Sequence, residues 1–165
     1  PEGGKCVAEG ISVSASLTRI NLSCNMIGDN GGKHIAEGIA FSTSLTSIDL
    51  SNNVLDDKGA KHIAEGIAVS ASLTSIDLSC NRFGAEGAKH IAKAISFSTS
   101  LTECDLCGFP LGEVGWCAIF DALLRSPQNK ISNWNLLSQD INATIAKSVG
   151  AYMAVSASLT QVLAF

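Results

Sequence analysis

The sequence predicts an α/β solenoid, a curved right-handed horseshoe of about five and a half helix–strand units with a concave parallel sheet and convex helices. Three observations predict it. Leu17, Leu45, Leu73 and Leu101 recur every 28 residues, as do Leu22, Leu50, Leu78 and Leu106. Each period divides into one half with helical spacing and one half that alternates. Strands joined through helices run parallel, and right-handed crossovers lay them side by side. Strands space at about 4.8 Å and packed helices at about 8–10 Å, so the helix side is longer and the stack bends.

The unit from Gly59 to Gly84 shows both halves most plainly. Ala60, Ile63, Ala64 and Ile67 follow the i, i+3, i+4, i+7 spacing of one helix face. Leu73, Ile76 and Leu78 then alternate with Ser75, Asp77 and Ser79, the inside–outside pattern of a strand. Gly31, Gly59, Gly87 and Gly115 recur at the helix start, where a missing side chain lets neighbouring units close up. Asp29, Asp57, Glu86 and Glu113 precede them, suited to a positive helix N-terminus.

Taken in order, the outward strand positions read Arg19-Asn21-Ser23, Ser47-Asp49-Ser51, Ser75-Asp77-Ser79 and Glu103-Asp105-Cys107. Equivalent residues on adjacent strands lie within about 5 Å, so Asp49, Asp77 and Asp105 form a stacked acidic row. Such a row favours an Arg- or Lys-rich ligand, or a raised pKa in one member. The fourth unit departs from the pattern, with Phe109 and Pro110 where Asn and its successor are expected. Trp116 and Phe120 replace Ala, and RSPQNK lengthens the next connection by two residues. These changes mark either the approach to the end of the array or a docking point. Asn133, Asn135 and Leu137 continue the inner face, and Gln161, Leu163 and Phe165 follow. Leu137, Leu163 and Phe165 form an apolar C-terminal edge that a further repeat or a partner would cover.

The segment L-x-x-I-x-L-x-x-N-x-I/L/F, at Leu17–Ile27, Leu45–Leu55 and Leu73–Phe83, resembles the leucine-rich repeat of the ribonuclease-inhibitor type. The wording G-A-K-x-I-A-E-x-I and L-T-S-I-D-L-S-x-N is most similar to repeats of NOD-like receptor proteins. The resemblance places Asn25, Asn53 and Asn81 on a structural ladder, where a buried amide satisfies donors and acceptors as the chain leaves the strand. It also makes L-D-L-S a frequent form of the repeat, with the Asp held by flanking Ser hydroxyls. It implies protein binding rather than catalysis, and some members of the family activate small GTPases.

Composition sets the limits. The charged share of 16% against 46% apolar residues is that of a packed domain, and residues 1–165 read as one domain, a piece of a longer array. A net charge of −4 without a Lys/Arg cluster argues against nucleic acid. No apolar run reaches the ~18 residues of a membrane span. Phosphate-loop, metalloprotease, nucleophile-elbow and zinc-ribbon patterns do not occur, so no enzyme activity, cofactor or metal is expected. His34, His62 and His90 recur on the outer helix face, about 8–10 Å apart and too far for a shared zinc. Cys24 and Cys80 lie two units apart, and Cys104 and Cys107 face opposite sides, so free thiols and a cytoplasmic or other reducing compartment are expected. The sequons at Asn21 and Asn142 are short enough to arise by chance. The sequence therefore points to a protein-binding scaffold acting through Arg19, Asn21, Asp49, Asp77, Glu103, Asp105, Asn133 and Asn135. The alternatives are a subunit of a larger assembly and, more weakly, a regulator of a small GTPase.

Overall fold

A computed structural model of the chain describes residues 2–108, 111–126, 128–136 and 139–163. Among the described residues six helices alternate with six short strands: α1 (Glu2–Val13), β1 (Arg19–Asn21), α2 (Gly28–Phe41), β2 (Ser47–Asp49), α3 (Asp57–Val69), β3 (Ser75–Asp77), α4 (Ala85–Phe97), β4 (Glu103–Asp105), α5 (Gly112–Leu124), β5 (Asn133–Asn135), α6 (Ala143–Val155) and β6 (Gln161–Leu163). The strands form one parallel sheet in chain order. Its register follows the repeat: Ile20, Ile48, Ile76 and Cys104 lie opposite one another, as do Asn21, Asp49, Asp77 and Asp105. The two extra residues after α5 are absorbed before β5, because Glu103 still pairs with Asn133. The fold is the expected α/β solenoid, with one parallel sheet and a helix between each pair of successive strands.

Between sheet and helices lies a continuous aliphatic core. Leu45, Leu73 and Leu101 are each 1% exposed, and Ile35, Ile63 and Ile91 are closed off completely. Full burial of each such side chain is worth about 1.5–3 kcal/mol. Close helix approach depends on small residues: a Cβ on Gly66 would lie 2.7 Å from the Ala36 carbonyl oxygen of the preceding helix.

Polar ladders join the slices. Asn53 Oδ1 accepts the amides of Asn25 (3.0 Å) and Ile27 (3.3 Å), while its Nδ2 donates to the carbonyls of Leu22 (2.8 Å) and Ser51 (3.1 Å). Asn81 repeats this one unit on, accepting from Asn53 and Leu55 and donating to Leu50 and Leu78. Asn25 holds its own turn through Leu22 and Ser23 but is exposed. Phe109 and Pro110, at the next such turn, lie outside the described residues.

One feature adds to the sequence reading and a second corrects it. Asp29 and Asp57 sit in the first turn of their own helices, as expected, and also serve the following helix: Asp29 Oδ1 accepts the amides of Asp56 and Gly59, and Asp57 Oδ1 those of Gly84 and Gly87. Second, Trp116 and Phe120 are not a docking point, because both are completely buried. They stack at 5.9 Å between ring centroids and meet Trp134 edge-on at 6.1 and 5.4 Å, with Tyr152 against Phe120 at 5.8 Å. Large rings on α5, β5 and α6 thus fill the space that Ala and Ile fill in earlier slices. The longer connection is fixed from within: buried Asn129 donates to Ser126 O at 2.7 Å and accepts the Tyr152 hydroxyl at 3.0 Å.

Candidate functional site

The inner sheet face carries two parallel rows of side chains. One row runs Arg19, Ser47, Ser75, Glu103, Asn133, Gln161; the other runs Asn21, Asp49, Asp77, Asp105, Asn135, Leu163. Strand alternation places them there, since the residues between them, Ile48, Ile76 and Trp134, are buried in the core.

Each carboxylate of the acidic row is oriented by its own chain two residues on. Asp49 Oδ1 accepts from the amide and hydroxyl of Ser51 at 2.9 and 2.7 Å. The Ser79 amide donates to Asp77 at 2.8 Å, and the Cys107 amide to Asp105 at 2.9 Å. Asn21 occupies the same turn and extends the row, its Nδ2 donating to Asp49 Oδ2 at 2.9 Å. Ser51, Ser79 and Cys107 therefore hold the three carboxylates in line.

Asp77, in the middle of the row, has its carboxyl pushed above the usual carboxylate value. Burial is the largest cause; the two Ser79 bonds oppose it, and the charges of Asp105 and Asp49 add to it. Cys107 is pushed up to about 12 by burial, by its bond to Asp105 and by the neighbouring charges. Burial also raises the Cys104 thiol. Both thiols stay protonated at neutral pH and are poor nucleophiles.

Asp77, Glu103, Asp105, Asn133, Asn135 and Leu163 line one hollow of about 280 Å³ on this face. Asp49 lies one strand before it, and Arg19 and Asn21 lie at the opposite end of the sheet. Asn133 Nδ2 donates to Glu103 Oε1 at 3.4 Å, and its Oδ1 accepts the Thr160 hydroxyl at 3.1 Å. Leu163 is 42% exposed. Leu137 and Phe165, the other members of the expected apolar edge, lie outside the described residues.

On the outer face, His34 and His62 each approach the glutamate three residues on, Glu37 and Glu65. Among the described residues no group of three His, Cys, Asp or Glu gathers to hold a metal ion. No helix among them is long and apolar enough to cross a membrane.

The sequence reading missed a serine ladder. Ser42, Ser70 and Ser98 end α2, α3 and α4, and their hydroxyls accept the amides of Leu45, Leu73 and Leu101 at 3.1–3.2 Å. Ser44, Ser72 and Ser100 donate back to the preceding unit, at Leu17, Ser42 and Ser70. The signal was the S-x-S that precedes each repeat leucine.

Comparison with known proteins agrees with this architecture. The family model described as Leucine Rich repeat matches residues 13–36, 41–64 and 69–92. Each match runs from a helix end through the strand and its turn into the next helix. Among solved structures, the chain is similar to one described as leiomodin-1 actin-binding site 2, with a TM-score of 0.72 at 19% identity, covering 89% of this chain and 87% of that one. The tropomodulin C-terminal domain of Caenorhabditis elegans gives a TM-score of 0.72 at 14% identity, covering 92% and 91%. At these identities the likeness is one of fold. No curated protein sequence matches the chain.

Proposed function

We propose that this leucine-rich-repeat solenoid is a non-enzymatic protein-interaction domain whose concave face receives a partner bearing Lys or Arg side chains. The acidic row carries this reading: Asp49, Asp77 and Asp105 are held side by side, and Asp77 resists ionisation there. A cation laid across the row relieves the repulsion, so part of the cost of holding like charges together returns on binding. Glu103 beside the row and the half-buried Asn133 and Asn135 extend the polar surface. The resemblance of the repeat wording to NOD-like receptor proteins and to the ribonuclease-inhibitor type supports a recognition or adaptor role, and the six free cysteines support a reducing intracellular compartment.

The test compares capture by the wild-type domain with capture by Asp49→Lys/Asp77→Lys. Actin is included as a defined bait because the leiomodin-1 structure is described as an actin-binding site. Partners retained by the wild type and lost by the variant support the inner face; an identical set on both removes it.

A second reading is a subunit held in a larger assembly through its C-terminal end. Leu163 (42% exposed), Met153 (51%) and Val155 (66%) favour it. Trp116 and Phe120 add nothing to it, since both are buried in the core. Nothing on either face favours GTPase regulation.

A further inference from the structure

We infer that the outer groove between α4 and α5 is a second docking site, which receives a short acidic amphipathic helix from a partner protein. The groove is about 570 Å³, and the alanines Ala92, Ala118 and Ala122 are among the residues that line it. Methyl side chains on both helices leave room for a large apolar residue. Phe97, 62% exposed at the end of α4, supplies the wall against which it would pack.

Lys93 and Phe97 also border the groove between α3 and α4, and Arg125 distinguishes the one between α4 and α5. Val13, Phe41, Val69 and Phe97 form an exposed apolar row along the helix ends, and Arg125 takes the next position in it. Glu37 and Glu65 occupy a second recurring position, and Lys93 takes the next. Both departures replace an apolar or acidic residue with a cation, and both line the same groove. Lys89 lines it too but is paired with Glu86. Lys93 and Arg125 have no ion-pair partner among the described residues, and Asp121 is the one carboxylate on the lining. The chain as a whole carries −4, so this local excess of positive charge runs against its composition.

Charge and shape together commit the occupant. Two side-by-side helices present ridges and a groove that a third helix fits, and 13-residue helices give it roughly 20 Å of length. The partner segment places an apolar residue over Ala118 and Ala122 beside Phe97, with Asp or Glu one turn away facing Lys93 and Arg125. The site is independent of the concave face.

The experiment is a display selection of random 14-residue segments on the wild-type domain, counter-selected on Lys93→Glu/Arg125→Gln. Lys93→Glu restores the residue of two sister helices, so folding is retained, and circular dichroism checks it. The expected winners are acidic, with apolar residues at i and i+4. As labelled synthetic peptides they bind the double variant and Phe97→Ser at least ~10-fold more weakly than wild type, and Asp49→Lys/Asp77→Lys equally well. Three results overturn the proposal: no segment that prefers wild type, winners that are neutral or basic, or a wild-type dimer that the double variant dissolves, which would give the groove to a second copy.

Discussion

Asp57 Oδ1 accepts the backbone amide of Gly87 at 2.8 Å, thirty residues further along the chain. A carboxylate at the start of α3 therefore caps α4, and neighbouring units are tied at the helix end as well as through the sheet. Removing it with Asp57→Ala leaves the Gly84 and Gly87 amides without this acceptor and costs about 0.5–2 kcal/mol in urea unfolding. Asp57→Asn, which keeps a carbonyl oxygen there, costs less. Equal stability of wild type and Asp57→Ala would show that water replaces the cap freely.

Burial separates two members of the asparagine ladder. Asn81 is 2% exposed and its side chain serves the amides of Asn53 and Leu55, whereas Asn25 is exposed and its side-chain amide bonds only within its own turn among the described residues. Each buried group left unsatisfied costs about 1–3 kcal/mol. Asn81→Ala should lower the unfolding free energy by at least ~2 kcal/mol, and Asn25→Ala by under ~1 kcal/mol. Denaturant midpoints at constant slope measure both.

The acidic row has a pH signature. With its pKa raised on folding, Asp77 favours the folded state when protonated; that stability is fully present below the unfolded-state value and is lost as pH rises through the folded one. At neutral pH the ionised carboxylate is a cost. Asp77→Asn keeps an oxygen for the Ser79 amide and removes the charge, so it should stabilise the domain by about 0.2–1 kcal/mol at pH 7. The gain should fade as pH drops below the carboxylate range. A gain that grows on acidification would have the wrong sign.

Two buried tryptophans differ in one hydrogen bond. Trp116 Nε1 donates to Gln139 Oε1 at 3.2 Å, while Trp134 Nε1 is buried without a partner among the described residues. Trp→Phe at either site loses similar packing, but only at Trp116 does it also break a buried bond. Trp116→Phe should be the more damaging by about 1 kcal/mol, read from thermal or urea unfolding of the two variants.

The 28-residue period sufficed for the helix, strand and core positions, because each repeat must bury the same face against its neighbours. It also located the acidic row, since strand alternation and register leave little freedom. Links between units were harder to read. Proximity in the sequence places Asp29 and Asp57 at the starts of their own helices but hides their bonds to the next unit, and the Ser42, Ser70 and Ser98 hydroxyls act on a geometry that only the folded turn creates. Trp116 and Phe120 misled for a related reason: a large residue in place of Ala signals exposure only if its neighbours stay unchanged, and here Trp134 and Tyr152 change with them.

The most direct measurement is the affinity of a captured partner for wild type and for Asp49→Lys/Asp77→Lys, by calorimetry at two salt concentrations. Reversing two central charges sets cation against cation, which costs several kcal/mol. The concave-face account predicts at least a ~100-fold loss, together with wild-type binding that weakens as salt rises. Equal affinity for both proteins, insensitive to salt, would contradict it.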